Sequence, residues 1–254
     1  IRAPKIGKSL PKPIQVQAAR QMTDADIRAG ENRETWILAR DAAVISPSYT
    51  RGYPLVMERG QGARVWDVDG NEFIDFTTGI AVTATGHAHP AVVQAIKDQA
   101  EKFIHMSGTV FYYGPQIDMA ERLASVAPFD DEAMVFFCNS GAESVEAAAK
   151  LARYYTERGR FIAFLRGFHG RTMGALSFTA SKYVQRQDFF PLVPGVTDVP
   201  YPDSYRPILN DGGFADYGER IVDYIEREIF QTIVPAKEVA GIVVEPIQGE
   251  GGYI

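Results

Sequence analysis

Residues 134–146, M-V-F-F-C-N-S-G-A-E-S-V-E, constrain this chain more than any other stretch. An apolar run, 134–138, meets a small polar turn, Asn139-Ser140-Gly141, and a helix-forming run follows at once from Ala142. The pattern predicts a strand, a tight turn and a helix start in immediate succession, which is how a chain builds an anion pocket. The first amides of a helix lack an intrahelical acceptor, and the helix dipole is positive at that end. A phosphate placed there gains several N–H donors without a single lysine. Gly141 and Ala142 let the backbone come close to such a ligand. Many strands also run into helices through a small turn and bind nothing, so the rest of the chain has to decide between the two readings.

A chain of 254 residues can hold one large or two ordinary domains with a real core. The formal net charge is -6 and no basic block occurs, which argues against nucleic acid or an anionic membrane as the main partner. There is no apolar run of spanning length and no signal-peptide pattern, so a cytoplasmic protein is expected. The single cysteine, Cys138, excludes an internal disulfide and a cysteine zinc cluster. Within an apolar strand it reads as a buried packing residue. The chain starts at Ile1 without Met and stops at Ile254 just after a motif, and is read as part of a longer protein.

Residues 1–13, rich in Pro, Lys and Gly, read as an extended arm, and 15–40 as helix-compatible pieces broken near Gly30. Residues 41–54 should be loop. From 55 to 76 the period changes to two, and runs 65–68 and 73–76 flank Asp69-Gly70-Asn71, a hairpin signal. His87 and His89 invite a metal reading, but two His on a loop with no third ligand nearby fall short of a site. Helix-entry packing and capping is preferred, and no metal is expected. Pro90 suits a first helical turn, with Val92, Val93, Ile96 and Ala100 on one face. The aromatic loop 107–114 reads equally as core packing and as a pocket lip or subunit contact. Pro115 then opens a helix with Ile117, Ala120, Leu123 and Ala124 inward.

After the opening stretch, Val145, Ala148, Ala149, Ala152 and Tyr155 form one apolar stripe. Glu146 and Lys150 form an i,i+4 pair on another face, which makes Lys150 a surface residue. Gly159 ends this helix and 161–165 is a short strand, so a parallel pair is implied. That strand feeds Arg166-Gly167-Phe168-His169-Gly170-Arg171-Thr172, at the edge where open α/β sheets place ligands. Phe168 could stack on a planar ring, and Arg171 could hold a carboxylate through two parallel hydrogen bonds. A glycine-rich turn with a solvent arginine is the alternative. Residues 191–213 read as a surface excursion. Residues 219–230 read as a helix with Ile221, Val222, Ile225 and Ile229 inward. A buried strand, 239–244, ends in Glu245-Pro246-Ile247-Gln248-Gly249-Glu250-Gly251-Gly252. Three strand ends thus direct polar groups and glycines at one edge.

Taken together, N-S-G-A-E at 139–143, G-F-H-G-R-T at 167–172 and V-E-P-I-Q-G-E-G-G at 244–252 resemble the class III aminotransferases. F-I-D-F-T-T-G-I-A-V at 73–82 and G-H-A-H-P at 86–90 resemble that family too. The match runs in order from about Ser46 to Ile254, and the arm before Ser46 resembles only the longer members, loosely. The family depends on pyridoxal phosphate (PLP) and includes the ornithine, acetylornithine and 4-aminobutyrate enzymes. The resemblance implies an α/β protein of PLP-dependent transferase fold type I, a parallel-dominated mixed sheet flanked by helices with a small N-terminal α+β unit. It assigns 1–78 to the arm and part of the small domain, and 79–254 to the first portion of the large PLP-binding domain.

The same resemblance implies the site. Ser140, Gly141 and Ala142 would hold the PLP phosphate. Phe168 would stack on the pyridine ring with His169 close by. Arg171 would bind a substrate carboxylate, and Glu245 would face the substrate near the ring in a catalytic position. Glu250 would be a gate carboxylate pairing with a second arginine, Ile80 and Val82 would line the pocket, and loop 107–114 would lie at a dimer interface. The Schiff-base lysine and the aspartate on the pyridine nitrogen lie after the E-P-I-Q-G-E motif in this family, beyond Ile254, so the segment alone should be inactive. The implied reaction is ping-pong amino transfer from an ω-amino acid to a 2-oxo acid, 2-oxoglutarate being expected, by a homodimer or dimer of dimers. Arg171 and Glu250 do not choose among 4-aminobutyrate, ornithine and acetylornithine; the N-terminal arm leans toward the 4-aminobutyrate-like or archaeal ornithine-like group. The alternatives are an amino-acid racemase or mutase of the same family, and a non-catalytic PLP- or phosphate-binding protein.

Overall fold

The computed structural model describes residues 33–49, 51–129, 132–210 and 216–254. The expected arm at 1–13 and most of the helical pieces at 15–40 lie outside the described residues. By its contacts the chain separates into two units, one ending at Tyr113 and one starting at Gly114.

In the N-terminal unit, helix α1 (Arg33–Val44) precedes a three-stranded antiparallel sheet of β1 (Met57–Gln61), β2 (Arg64–Asp67) and β3 (Glu72–Ile74) in the order β1-β2-β3. The hairpin read from the period of two is β2–β3, with Val65 opposite Phe73 and Trp66 opposite Glu72. Its turn places Gly70 at φ 86° and is closed by Asp67, whose carboxylate accepts from Asp69 N, Asn71 N and Asn71 Nδ2. The hydrogen bond from Asn71 is the main cause that holds the Asp67 carboxyl below its ordinary value. Helix α2 (Pro90–Lys102) begins at Pro90, as expected. Its apolar face stays open among the described residues: Val92 and Ile96, with Phe103 and Ile104, line a groove of about 630 Å³.

In the C-terminal unit, helix α3 (Gly114–Ala124) exposes Ile117 and Leu123, against the inward face read from the sequence; Ala120 and Ala124 are half-buried. Residues 134–138 belong to no strand. The period of two is there, with Ala133 and Val135 half-buried and Met134 and Phe136 exposed. A strand also needs a ladder partner, and no described strand pairs with this run. Cys138 is correspondingly half-buried, with its thiol 2.9 Å from Ser144 Oγ, so it is not the packed core residue expected.

Helix α4 (Gly141–Thr156) follows, then β4 (Arg160–Phe164), α5 (Met173–Phe178), α6 (Tyr183–Arg186), β5 (Val196–Val199), α7 (Tyr217–Tyr224) and β6 (Val239–Ile242). The helix of α7 continues through a π-helical segment, Ile225–Ile229, to Thr232. The sheet is parallel, in the order β5-β4-β6. Strand β4 is central and buried on both faces. Ile162 and Phe164 pack with Val199, Ile221, Ile225, Ile229 and Val234, while Phe161 and Ala163 pack with Ala149 of α4 and Phe178 of α5. Helices on both faces explain why β4 is an unbroken apolar run.

Three further expectations change in this unit. The inward stripe of α4 is Val145, Ala149 and Ala152, while Ala148 and Tyr155 face out. Val222 is exposed while Ile221, Ile225 and Ile229, spaced four residues apart, are buried on one face, and residue 222 lies one position round the helix from that face. The excursion at 191–213 contains β5, whose Val199 is fully buried. Four residues between Gly195 and Pro200 are too short a run to show a periodicity.

Among the described residues no helix is long and apolar enough to cross a membrane. Ile162 is completely buried, so Ile162→Ala is expected to lower unfolding free energy by about 2–5 kcal/mol. Chemical denaturation measures this, and a loss below about 1 kcal/mol would contradict the two-faced core.

Candidate functional site

The site is assembled at the carboxyl ends of β4 and β6, against the N-terminus of α4. Ser140 has extended backbone, φ -157° and ψ 160°, and its Oγ accepts from Glu143 N, a side-chain N-cap. Glu143 turns its carboxylate back onto Asn139 N at 2.6 Å, tightening the turn. Ser144 N is bonded to Ser140 O, so the amides of Gly141 and Ala142 are the two in the first turn that no described group accepts from. A β-carbon at Gly141 would meet nothing within 4 Å. Two unspent donors at the positive end of a 16-residue helix, beside open space, are the elements an anion cup requires.

The loop after β4 is fixed from several sides. Arg166 N donates to Ala180 O, Ala180 N to Gly167 O, and Gly167 N to Phe164 O. Arg166 sits at φ 68°, and its guanidinium pairs with Asp203 at 2.9 Å. His169 N donates to the fully buried Thr179 Oγ1, which in turn donates to Gly170 O. Gly170, at φ 126°, lies so close to α4 that a β-carbon there would be 2.8 Å from Ala142 Cβ. That position suits glycine alone, and the approach brings the cup and the 166–172 loop together.

The loop after β6 meets the same loop. Phe168 N donates to Glu245 Oε2 at 2.9 Å, and Gln248 Nε2 donates to Leu165 O at 2.9 Å. Tyr201 Oη donates to the carbonyls of Glu245 and Pro246. One Glu245 oxygen is therefore committed to the backbone of the residue expected to carry a ring. Burial pushes the His169 ring below its ordinary value, against smaller opposing effects of Glu245 and Asp198, so the ring at this site is neutral at neutral pH. Its Nε2 has no partner among the described residues.

The sequence-predicted residues thus fall into groups. Ser140, Gly141 and Ala142 are joined to Phe168, His169 and Glu245 through Gly170 and the Phe168 amide. Arg171 is exposed, directly follows Gly170, and makes no ion pair among the described residues. Glu250 is drawn aside to Lys182 and Gln185 of the segment after α5. Ile80 and Val82 belong to the N-terminal unit. There, residues 78–81 form a single turn in which Thr78, Gly79, Ile80 and Ala81 all have positive φ. Such a conformation costs a side-chain-bearing residue about 1–2 kcal/mol. Asp75 offsets this: Oδ1 accepts from Thr77 N, Thr77 Oγ1 and Thr78 N, while Oδ2 bonds His87 Nε2 at 2.6 Å. The His87 bond is the largest cause that holds the Asp75 carboxyl far below the usual range. His87 is occupied in this way, and His89 sits at the N-cap of α2.

Five residues that shape the site were not singled out from sequence for the parts they play: Thr179, Gln248, Tyr201, Lys182 and Glu146. The last was expected to pair with Lys150. No such pair occurs among the described residues; Glu146 Oε1 accepts instead from Thr172 Oγ1 at 2.7 Å and Ala175 N at 3.0 Å. No local spacing could have shown these contacts, because the partners are remote in sequence.

Comparison with known proteins now adds an independent line. Residues 45–254 match the family model described as aminotransferase class-III. The chain is 47% identical over 205 residues to an acetylornithine aminotransferase of Methanopyrus kandleri, covering 81% of this chain and 46% of that protein. It is 39% identical to a probable 4-aminobutyrate aminotransferase of Bacillus subtilis, covering 86% and 50%. It is 36% identical to an alanine/serine racemase of Pyrococcus horikoshii, covering 86% and 47%. An ω-transaminase of Pseudomonas jessenii, solved in complex with PMP, superposes with a TM-score of 0.76 at 27% identity, covering 85% of this chain and 49% of that one. The chain spans about half the length of the curated relatives it matches.

The close approach at Gly170 is the contact on which the geometry turns. Gly170→Ala is expected to lower the thermal midpoint by several degrees, whereas Gly159→Ala, with open space around the new methyl, should change it little. Equal midpoints for the two variants would contradict the packing.

Proposed function

This chain belongs to the aminotransferase class-III family, and on that premise we propose that the complete protein is a PLP-dependent transaminase moving an amino group from an ω-amino acid to a 2-oxo acid. The observation that carries the reading is the anion cup with two unspent amides, packed through Gly170 against the loop that bears Phe168 and Arg171. Those residues fit a phosphate joined to a planar ring. Ser140 and the amides of Gly141 and Ala142 would hold the phosphate, and Phe168 would support the ring. When bound, PLP supplies a carbonyl carbon that exchanges oxygen for nitrogen and a ring that takes up electron density.

The chain's own residues bind and orient. Arg171 offers a planar fork of donors to a substrate carboxylate. Glu245 holds the Phe168 backbone through one oxygen, which fixes the ring platform, and faces the substrate with the other. His169, half-buried within the loop and with burial lowering its pKa, adds no positive charge there at neutral pH. Glu250, held by Lys182 in this structure, serves as the gate: it exchanges partners when a substrate carboxylate needs a second cation. The division at 78/79 into small and large domains belongs to the same reading.

An amino donor of the ornithine, acetylornithine or 4-aminobutyrate class and 2-oxoglutarate are the proposed substrates, and the named aminotransferase relatives support this choice. A homodimer or dimer of dimers, with loop 107–114 at the subunit contact, accords with the exposure of Val110, Phe111 and Tyr112. A cytoplasmic setting accords with the acidic composition and single cysteine. The racemase relative favours a second reading, in which the same site inverts an amino acid without transferring nitrogen.

A donor panel on the complete holoenzyme tests the proposal. The visible absorbance of bound cofactor should be discharged by an ω-amino acid and restored by 2-oxoglutarate. Absence of the band, or its indifference to every donor, contradicts a transaminase; inversion of a chiral amino acid with no oxo acid present decides for the racemase. Arg171→Ala is expected to raise KM for the carboxylate donor about 100-fold while cofactor content stays unchanged. Loss of cofactor in this variant would remove Arg171 from the clamp.

A further inference from the structure

Helix α4 carries the anion cup on its first turn, and five residues further along it carries Glu146. That side chain leaves its own helix and serves another. Its Oε1 accepts from Thr172 Oγ1 and from Ala175 N, the N-cap hydroxyl and a first-turn amide of α5. Thr172 makes no cap bond to α5 with its own side chain, so the acceptor that a helix start needs comes from α4. The carboxylate also fits only because residue 174 is glycine: a β-carbon there would fall within 2.6 Å of Glu146 Cδ. The turn held in this way begins one residue after Arg171.

We infer that Glu146 is a positioning residue for substrate recognition, coupling the helix of the phosphate cup to the backbone that aims Arg171. The inference rests on the proposed role of Arg171 as carboxylate clamp. Gly170 fixes the chain on one side of Arg171 by its contact with Ala142, and Glu146 fixes it on the other through Thr172 and Ala175. Both anchors lie on α4, so the separation between phosphate and substrate carboxylate is set by one rigid helix. Removing the second anchor leaves the guanidinium chemically intact but free to wander, and a displacement of about 1 Å at such a position costs up to about 100-fold in the efficiency of substrate use.

The test measures KM and kcat for the preferred donor of the panel, with cofactor content, on the complete holoenzyme. Glu146→Ala should raise KM about tenfold or more, with cofactor content unchanged and kcat altered much less. Gly174→Ala, which evicts the carboxylate, should do the same. The double variant should be no worse than either single one, because both remove one interaction. Glu146→Gln keeps an acceptor oxygen and should recover most of the KM. A merely structural role would instead lower the thermal midpoint and kcat together without a selective KM change, and that result would overturn the inference. If Glu146→Ala fails to fold, Gly174→Ala and Glu146→Gln decide by the same criterion. If Arg171→Ala raises KM but neither Glu146→Ala nor Gly174→Ala does, the clamp stands and the coupling is wrong. If Arg171→Ala itself leaves KM unchanged, the clamp reading fails and this inference with it.

Discussion

A single backbone approach governs the C-terminal unit: Gly170 against Ala142, where even a methyl group would stand 2.8 Å from the neighbouring β-carbon. The contact brings the end of a parallel strand's loop onto the first turn of the preceding helix. Donors that a helix cannot use itself are thereby brought close to the loop that carries Phe168 and Arg171. The approach is possible because α4 is held from below by Val145, Ala149 and Ala152 on β4 and α5, so its N-terminus has no freedom to retreat.

Charge is distributed around this contact with little left over. Arg166 is spent on Asp203, Arg186 on Asp198, and Lys182 on Glu250. Glu245 is half spent on the Phe168 amide, and Glu146 on the start of α5. Among the described residues of the 166–172 loop, Arg171 is the charged group that makes no ion pair. It is the exposed guanidinium to which the proposed function gives a substrate carboxylate. The neutral His169 keeps the interior of the loop free of a second charge. In the N-terminal unit a comparable economy appears at Asp75, where one carboxylate holds both a left-handed turn and a histidine.

Much of this architecture could be read from sequence because it is local. The hairpin β2–β3, the start of α2 at Pro90 and the turn–helix–strand order that leads through α4 to β4 all rest on neighbours within a few residues. What could not be read depends on distant partners. Residues 134–138 have the period of a strand but lack a described ladder neighbour. Strand β5 exists because β4 offers it an edge, not because four residues between Gly195 and Pro200 announce themselves. Glu146 looked like half of an intrahelical pair and serves a different helix 26 residues away. Glu250, likewise, could be given the part of gate carboxylate by resemblance, but its lysine partner lies 68 residues earlier.

The central claim is that the N-terminus of α4 receives the phosphate of pyridoxal phosphate while the loops after β4 and β6 frame the ring. A crystal structure of the complete protein with pyridoxal phosphate bound tests it most directly. The account predicts phosphate oxygens within hydrogen-bond distance of Ser140 Oγ and the amides of Gly141 and Ala142, with the ring against Phe168. A phosphate bound elsewhere, with those two amides facing water, would contradict it.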